Sequence, residues 1–358
     1  MSRVLIMAGG TGGHVFPGLA VARRLLENQV QVVWLGTRRG IEAQAVPASG
    51  LAIDMEWLTI KGVRRTGVLS WLLLPFTLLY AMAQAFQVLR RRKPDVVLSM
   101  GGFVAGPGGL MAWILRKPLL IHEQNAIPGL TNKWLAMIAD QVLCGFPGAF
   151  GAHIAARPVG NPVRDEIAAL PHPEKRLAGR QGNLRLLVVG GSLGAKIFNE
   201  VVPAAIRAMP AGIRPEVWHQ CGRHNAETVR QEYGDVNARV AEFIDNMAEA
   251  YAWADVVLCR AGAMTVAELA ASGSAAILVP YLYAVDDHQT ANARFLSERE
   301  AGVLVPSPEL TSARIVELLS GFAANRELLM KMAVAARHLA VTDAAETVAA
   351  ACRRMINA

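Results

Sequence analysis

The hydrophobic residues of this chain form short continuous runs that alternate with longer amphipathic stretches. Val4–Met7 and Leu184–Val189 are such runs, and each is followed by a glycine-rich turn and then by apolar residues at helical spacing. Strands that are buried on both faces of a parallel sheet have this continuous apolar pattern. We therefore predict an α/β protein in which strands and helices alternate along the chain.

The alternation continues through both halves of the chain. Further predicted strands lie at Gln31–Leu35, Asp95–Met100, Pro118–His122, Glu216–Gln220, Asp255–Cys259 and Ala276–Pro280. Open parallel sheets hold their ligands at the carboxyl ends of the strands. We expect His14, Gly102 and Glu123 to line one side of a cleft there, whereas His122 is better explained as a hydrogen-bonded histidine at a strand end.

Two glycine-rich turns share the pattern Gly-Gly-[Ser/Thr]-x-Gly, at Gly9–Gly13 and at Gly190–Gly194. Glycine allows the backbone to turn tightly and to approach a ligand, and the helix that follows points its amino terminus at the turn, which favours an anion such as phosphate. A purely structural turn would explain one copy. Two copies predict two similar halves, each beginning with a nucleotide-type turn.

Neither half carries the motifs of the common nucleotide-binding enzymes. The dinucleotide fingerprint requires an acidic residue at the end of the following strand, but Gly36-Thr37-Arg38 follows one strand and Cys221-Gly222 follows the other. The chain also lacks a G-x-x-x-x-G-K-[S/T] loop. These absences disfavour a nicotinamide-dependent dehydrogenase and a P-loop NTPase.

Size and cysteine content agree with an intracellular protein of two domains. A chain of 358 residues is long for one core. Its four cysteines have no paired spacing, which indicates buried thiols in a reducing compartment. The apolar start is only as long as a strand, so we expect no signal peptide.

The net charge of +7 is concentrated in the first half of the chain. Residues 1–160 contain 16 Lys and Arg against 7 Asp and Glu, whereas the remainder contains 20 and 22. Such a basic surface suits nucleic acid, an anionic membrane or an anionic substrate. Because no nucleic-acid-binding motif is present, we expect no nucleic acid partner.

Residues 66–89 contain no charged side chain and are long enough to cross a membrane. A span here would separate the strands at 4–7 and 95–100, which we assign to one sheet, so we reject it. Apolar residues cover almost the whole circumference of the predicted helix, and basic residues flank it at Lys61, Arg64, Arg65 and Arg90–Lys93. We predict that it sits on an anionic membrane surface. The alternative is a wholly buried core helix.

Candidate chemistry in the second half centres on the turn Arg260–Glu268, which leads into a helix. Glu268 could accept hydrogen bonds from a vicinal diol such as a ribose, or could simply be a favourable charge near a helix start. His219-x-Cys221-x-x-His224 has metal-site residues, but packing at a strand end is the better explanation. No D-x-D motif for a metal diphosphate is present, and we expect neither a metal nor a cofactor.

Seven motifs in sequence order resemble those of the MurG family, the glycosyltransferases that convert lipid I into lipid II in peptidoglycan synthesis. They are GGTGGHVFPGLAVA at 9–22, GGF at 101–103, HEQN at 122–125, GNPVR at 160–164, GGSLGA at 190–195, RAGAMTVAE at 260–268 and HQTANA at 288–293. As a set they are specific, and they cover essentially the whole chain.

The resemblance implies a GT-B fold, in which two Rossmann-like parallel-sheet domains face a central cleft. It implies an acceptor- and membrane-associating domain at 1–163, with a C-terminal helix at 341–358 packing back on it, and a UDP-sugar-binding domain at 164–340. The implied donor is UDP-N-acetylglucosamine and the implied acceptor is lipid I, undecaprenyl-diphospho-N-acetylmuramoyl-pentapeptide. The implied location is peripheral, on the cytoplasmic face of the bacterial inner membrane, with other cell-wall synthesis enzymes as partners and roles in cell shape and division.

By position, the resemblance also implies which residues contact the donor. The implied contacts are Thr11, Gly12, Gly13, Asn125, Arg164, Ser192, Ile244, Ala263, Met264, Thr265, Val266, Ala267, Glu268 and Gln289. Ile244 would bind the uracil edge through its backbone, Glu268 the ribose, and Gln289 the sugar hydroxyls. Asp287 departs from the family pattern, in which Asn is expected.

Inversion of an α-linked donor to a β-1,4 product requires a base for the acceptor hydroxyl and stabilisation of the departing UDP. Helix amino termini at Ser192 and at 263–265 could provide the stabilisation without a metal. We predict that His14 or Glu123 is the base and favour His14, because imidazole ordinarily titrates at about 6.5. Glu123 could instead orient His14 or cap the neighbouring turn.

Two other classes of protein remain open. A soluble GT-B enzyme, such as an epimerase or a natural-product glycosyltransferase, would lack affinity for membranes. A non-catalytic UDP-sugar-binding protein would bind the donor without turnover.

Overall fold

The computed structural model of the chain describes residues 2–60, 68–191, 194–282 and 287–357. The chain divides into two compact units. The first comprises Met1–Val163 together with Thr342–Ala358, and the second comprises Arg164–Val341. Each unit contains one sheet of parallel strands covered by helices.

Every strand predicted from the hydrophobic pattern overlaps an observed strand. The strands are β1 (Arg3–Ala8), β2 (Gln31–Gly36), β3 (Ile53–Trp57), β4 (Val96–Gly101), β5 (Leu119–Glu123), β6 (Gln141–Cys144), β7 (Ala156–Pro158), β8 (Arg185–Val189), β9 (Glu216–Gln220), β10 (Ala238–Ala241), β11 (Val256–Cys259), β12 (Ala275–Leu278) and β13 (Val303–Leu304).

The helices mostly follow the strands in alternation, as the sequence predicts. They are α1 (Gly12–Glu27), α2 (Glu42–Ala48), α3 (Val68–Arg92), α4 (Ala105–Ile114), α5 (Leu130–Leu135), α6 (Asp165–Ala168), α7 (Pro173–Arg176), α8 (Lys196–Ala208), α9 (Ala226–Tyr233), α10 (Met247–Trp253), α11 (Ala263–Ser272), α12 (His288–Ser297), α13 (Ser312–Ala324), α14 (Arg326–His338) and α15 (Ala344–Ile356).

The sheet of the first unit has the strand order β3-β2-β1-β4-β5-β6-β7. Its first six strands follow the Rossmann order, in which the direction of winding reverses beside β1. Ile6 of β1 is fully buried and lies level with Trp34 of β2 and Leu98 of β4. Helix α15 packs against α1, and Val348 and Cys352 are buried in the core that contains β1. The last helix of the chain therefore belongs to the first unit.

The sheet of the second unit has the order β10-β9-β8-β11-β12-β13, which is again the Rossmann order. Asp255 fixes the start of β11, because its buried carboxylate accepts hydrogen bonds from Arg180 at 2.7 Å and from the Arg185 amide at 3.0 Å. Thr311 caps the start of α13 by accepting a hydrogen bond from the Arg314 amide at 3.1 Å. Apart from the additional edge strand β7, the two sheets therefore have the same strand order.

Helix α3 contains most of the uncharged segment predicted at 66–89; Thr66, Gly67 and the basic residues Lys61, Arg64 and Arg65 lie outside the described residues. One face of its second half, formed by Ala81, Ala85, Val88 and Leu89, is buried in the core. From Pro75 to Tyr80, every residue except Thr77 is exposed. The alternative of a wholly buried core helix is therefore wrong. Among the described residues, no helix is both long enough and apolar enough to cross a membrane.

Two arginines at the end of α3 form ion pairs with carboxylates of the same unit. Arg92 pairs with Glu56 at 2.6 Å and with Asp54 at 2.7 Å, and Arg91 also pairs with Glu56. These arginines tie the end of α3 to the edge strand β3. Their charge is thus less available for a membrane than the sequence alone indicates.

The four cysteines are all free and buried, as their spacing predicts. Burial raises the pKa of the Cys259 thiol and of the Cys352 thiol to about 12, and that of Cys144 to about 11. The same cause raises the pKa of Cys221. All four thiols are therefore protonated near neutral pH.

Two glycines allow backbone segments to touch at the strand ends. Gly102 has a φ of +84°, and a Cβ there would lie 2.3 Å from the carbonyl oxygen of Gly9. Gly194 has a φ of +74°, and a Cβ there would lie 2.1 Å from the carbonyl oxygen of Cys221. A backbone carbonyl cannot move aside as a side chain can, so no other residue fits either position.

We expect Gly102→Ala to destabilise the first unit by about 2–5 kcal/mol, from the positive φ and the steric overlap together. Gly148→Ala is the matched control, because Gly148 has a φ of +77° but a Cβ there would have no neighbour within 4 Å. The control should lose only the backbone contribution of about 1–2 kcal/mol. Chemical denaturation of both variants measures the difference, and equal losses would show that the contact with Gly9 is unimportant.

Candidate active site

The carboxyl ends of β1, β4 and β5 bring three polar side chains of the first unit together. The His14 ring, in the first turn of α1, lies against Gly101, so that a Cβ on Gly101 would be 2.9 Å from His14 Cδ2 and 3.3 Å from Asn132 Nδ2. Asn132 in turn donates a hydrogen bond to Glu123 at 3.0 Å. His14 is partly exposed, and its Nδ1 is 3.3 Å from the hydroxyl of Thr11.

The Glu123 carboxylate organises the loop that follows β5. Its Oε1 accepts hydrogen bonds from the backbone amide of Asn125 at 2.9 Å and from the side chain of Asn125 at 3.1 Å. Its Oε2 accepts from the amide of Gly129 at 3.1 Å and from Asn132 at 3.0 Å. The side chain is buried. This geometry matches the capping alternative that the sequence left open for Glu123.

His122 is fully buried and hydrogen-bonded at both ring nitrogens. Its Nε2 is 2.9 Å from the Gly160 carbonyl, which can only accept, so Nε2 carries the proton. Its Nδ1 accepts from the amide of Gln124 at 3.1 Å. Burial lowers the pKa of His122. The ring is therefore a neutral structural group, as its position at a strand end predicts.

A carboxylate of the protein itself occupies part of the first glycine turn. The buried Glu42 accepts hydrogen bonds from the amide of Gly10 at 3.1 Å and from the amide and hydroxyl of Thr37, both at 2.8 Å. The amides of Gly12 and Gly13 precede the first helical hydrogen bonds of α1, which both end on Thr11. An anion at this turn therefore meets the Gly12 and Gly13 amides rather than the whole turn.

In the second unit, the start of α11 offers backbone amides beside a buried carboxylate. The amides of Ala263, Met264 and Thr265 precede the first helical hydrogen bond, which joins Val266 to Gly262 at 2.9 Å. One turn further, Glu268 accepts a hydrogen bond from Arg164 at 3.1 Å and one from the Tyr251 hydroxyl at 3.1 Å.

The environment of Glu268 changes its acidity. Its side chain is only 14% exposed, and this burial raises the pKa of the carboxyl, while Arg164 and the Tyr251 hydrogen bond act in the opposite direction. A carboxylate has about four lone-pair sites, so two bonds leave it able to accept from a ligand. The charge of Arg164 keeps the carboxylate form available.

The remaining predicted donor contacts of the second unit that the structure describes lie on a loop and on two helices, and Asp287 precedes one of these helices. Ile244 is buried in the loop between β10 and α10. Gln289, in α12, accepts a hydrogen bond from the Tyr281 amide at 2.9 Å and so holds the loop after β12. Asp287 begins α12 with a φ of +50° and accepts a hydrogen bond from the Thr290 hydroxyl. Ala267 lies in α11 next to Glu268, and Ser192 lies outside the described residues.

The described parts of the chain contain no group of three or more His, Cys, Asp or Glu side chains placed to hold a metal ion. His219 of the H-x-C-x-x-H segment is buried, and its Nδ1 is 2.9 Å from the hydroxyl of Tyr233. Burial lowers the pKa of His219 to about 3. Packing at the strand end thus explains this histidine.

Three residues of these sites could not be identified from the sequence. Glu42, Asn132 and Tyr251 belong to no recognised motif, and each acts by a hydrogen bond to a residue distant in sequence. Glu42 and Asn132 have only a weak signal, because each lies in a short helix that contains other polar residues as well. Tyr251 has none, since a buried tyrosine is common in any core.

Comparison with family models places most of the chain in one family. The glycosyltransferase family 28 N-terminal domain matches residues 4–144, and the glycosyltransferase family 28 C-terminal domain matches residues 185–348. The two matches together overlap every described strand except β7, and Arg164 lies between them.

Curated relatives are similar over almost their whole length. The chain is 51% identical to the UDP-N-acetylglucosamine--N-acetylmuramyl-(pentapeptide) pyrophosphoryl-undecaprenol N-acetylglucosamine transferase of Marinobacter nauticus, covering 99% of this chain and 98% of that protein. It is 54% identical to the transferase of the same name from Nitrosomonas europaea, with 98% of each covered. The crystal structure of Acinetobacter baumannii MurG matches with a TM-score of 0.86 at 39% identity, covering 99% of this chain and 100% of that one. The chain therefore belongs to glycosyltransferase family 28 and, within it, to the MurG transferases of the GT-B fold.

Proposed function

We propose that this protein transfers N-acetylglucosamine from UDP-N-acetylglucosamine to the C4 hydroxyl of the N-acetylmuramoyl group of lipid I, which yields lipid II for peptidoglycan synthesis. The observation that carries the proposal is the near-full-length identity to transferases named for this reaction. Release of UDP from UDP-N-acetylglucosamine, with and without a lipid I analogue, tests it. A soluble UDP-sugar epimerase would not depend on the lipid acceptor, and a non-catalytic binding protein would release no UDP.

The second unit binds the donor. Support comes from the start of α11. The backbone amides there precede the first helical hydrogen bond and can donate to a phosphate. One turn further, the Glu268 carboxylate can accept from the ribose hydroxyls. The ordering of Glu268 by Arg164 and Tyr251 means that little reorganisation is needed when UDP binds. The helix amino terminus also stabilises the negative charge that develops on the departing UDP.

Glu268→Gln should weaken UDP binding, because it removes a charge-assisted acceptor from the ribose and breaks the closer of the two ion pairs of Arg164. A loss of about 1–3 kcal/mol corresponds to a roughly 5- to 150-fold higher Kd. Isothermal titration calorimetry measures it. Glu166→Gln is the matched control, since Glu166 is exposed and lies 4.0 Å from the same arginine. Equal affinities for the wild type and Glu268→Gln would remove Glu268 from the donor site.

The raised pKa of Glu268 predicts a pH dependence of donor binding. The ionised form binds the ribose hydroxyls, so affinity is highest above this pKa and falls as the pH is lowered through it. Because burial raises the pKa, the decline should begin at a higher pH than for an exposed glutamate. Titrations of UDP at several pH values should show this decline in the wild type and Glu166→Gln but not in Glu268→Gln.

His14 acts as the general base in the first unit. Its imidazole is partly exposed beside Gly101, at the end of the strands where an acceptor sugar would lie. Glu123 is less suited to this role, because four N–H donors already occupy its two oxygens and the side chain is buried. Glu123 instead holds the loop that carries Asn125.

His14→Ala should lower kcat by roughly 10²- to 10⁴-fold while the Kd for UDP stays unchanged. A neutral imidazole is the active form, so the wild-type rate should fall at acidic pH, and this acidic limb should be absent from His14→Ala. Glu123→Gln is the comparison. It keeps the shape of the Glu123 side chain, but its amide N–H group would face the N–H donors that now bond to the carboxylate. It should lower the melting temperature and retain the acidic limb. If only Glu123→Gln loses the limb, Glu123 is the base.

A surface of exposed apolar residues on α3, α4 and α5 seats the protein on the anionic cytoplasmic face of the inner membrane. The three helices are neighbours, because α4 contacts both α3 and α5. The apolar surface consists of Phe76, Leu79, Tyr80, Trp113, Ile114, Leu130, Trp134 and Met137, all of them exposed. Arg116, Lys117 and Lys133 lie beside these residues in the chain and supply positive charge. This location would bring the enzyme to its lipid acceptor and to other cell-wall synthesis enzymes.

Replacing both Phe76 and Leu79 with Ser should reduce binding to vesicles that contain anionic lipid. Each large apolar side chain contributes about 1.5–3 kcal/mol when it leaves water, so the loss should exceed roughly tenfold. The double variant Ile213→Ser/Leu328→Ser removes exposed apolar residues from the second unit instead and is the control. Both variants should keep wild-type affinity for UDP. If the wild-type protein does not bind the vesicles, or if the Phe76/Leu79 variant binds them as well as the wild type does, this surface is not a membrane-binding site.

A further inference from the structure

Gln220 is a buried side chain that joins two loops of the second unit. It is the last residue of β9 and is only 3% exposed. Its Nε2 donates one hydrogen bond to the carbonyl of Gly191 at 2.8 Å and another to the carbonyl of Glu242 at 2.9 Å. Both N–H groups of the amide are therefore used, and each reaches a different loop.

The orientation of this amide is determined by its partners. Both are backbone carbonyls, which can only accept, so a rotated amide would place its oxygen against two other oxygens. Oε1 is buried and has no hydrogen-bond partner within residues 194–282 or the other described ranges. Within the described residues, both N–H groups of the amide are thus engaged by the two loops.

The two loops leave the strands on either side of β9. Gly191 belongs to the glycine turn after β8, and its carbonyl also accepts from the Gly194 amide at 2.8 Å. Glu242 follows β10 and precedes the buried Ile244 by two residues. Because β9 lies between β8 and β10 in the sheet, its last side chain can reach both neighbours.

Backbone pairing connects these segments only up to the end of the sheet. The Cys221 amide donates to the carbonyl of Ala241 at 2.9 Å, and the Gly190 amide donates to that of Gln220 at 3.3 Å. The amide of Gln220 extends the connection by one residue on each side, to Gly191 and to Glu242.

We propose that Gln220 is a positioning residue that sets the distance between the diphosphate site and the uracil site before the donor binds. This inference rests on the proposed function, in which the second unit binds UDP, and on the family resemblance, which implies that the glycine turn lies at the diphosphate and that the backbone of Ile244 binds uracil. UDP must engage both loops at once, so a fixed spacing avoids the entropic cost of ordering them on binding. A ligand that engages only one loop gains nothing from that spacing.

The test compares UDP with uridine, which lacks the diphosphate. Gln220→Met keeps the volume of the side chain and removes both N–H donors. The Kd for UDP, measured by calorimetry, should rise about tenfold, which corresponds to about 1.4 kcal/mol. The Kd for uridine, measured by NMR titration, should change by less than about twofold, since uridine has no diphosphate to reach the glycine turn. The KM for a lipid I analogue should not change.

Tyr233→Phe is the matched control, because it also removes a buried hydrogen bond formed by β9, namely that of the Tyr233 hydroxyl to His219. This variant should lower the melting temperature without changing the Kd for UDP. If Gln220→Met does not fold, Gln220→Asn replaces it, since its shorter amide cannot reach both carbonyls and should change UDP binding in the same direction.

The possible outcomes are distinct. An unchanged Kd for UDP, an equal loss of UDP and uridine binding, or an equal effect of Tyr233→Phe would each overturn the positioning role. A wild type that binds no UDP would instead overturn the proposed function. A selective loss of UDP binding would establish the role.

Discussion

Close contact between backbone segments at the strand ends is the constraint on which both units depend. In each Rossmann-like sheet, a glycine in left-handed conformation brings one loop against the carbonyl of another, with Gly102 on Gly9 and Gly194 on Cys221. Without a Cβ, loops from separate strands share a space too small for side chains. The amide groups that face a ligand are held by this packing, so the geometry of the candidate site follows from van der Waals contact as much as from hydrogen bonding.

The two units use buried carboxylates in opposite ways. In the first unit, Glu42 and Glu123 accept hydrogen bonds from loop amides, so the protein itself supplies the anions for these donors. In the second, Glu268 is bonded to a guanidinium and a hydroxyl and keeps acceptor capacity for a ligand. The two units thus share a strand order but differ in the groups that bind their carboxylates. The carboxylates of the first unit are fully engaged by the protein, whereas Glu268 of the second unit retains acceptor capacity.

The fold was predictable because its strands are continuous apolar runs and its turns repeat a glycine pattern, both of which are local properties. His14 and Glu268 could be proposed as site residues for the same reason, because each lies within a motif. The partners that orient them could not, since Tyr251 and Asn132 reach their targets only after folding. Surface properties were predicted in part. The exposed residues of α3 lie within an uncharged apolar segment, whereas the exposure of Trp113 and Trp134, on the shorter helices α4 and α5, is seen only in the folded structure.

The burial of all four cysteines has a practical consequence for studies of motion. Their raised pKa values keep the thiols protonated and enclosed, so thiol-reactive dyes and spin labels will not modify them under native conditions. If one cysteine is introduced on the surface of each unit, these two residues would be the only reactive thiols of the variant. Distance measurements between such labels can follow the two units through a catalytic cycle without prior removal of any native residue.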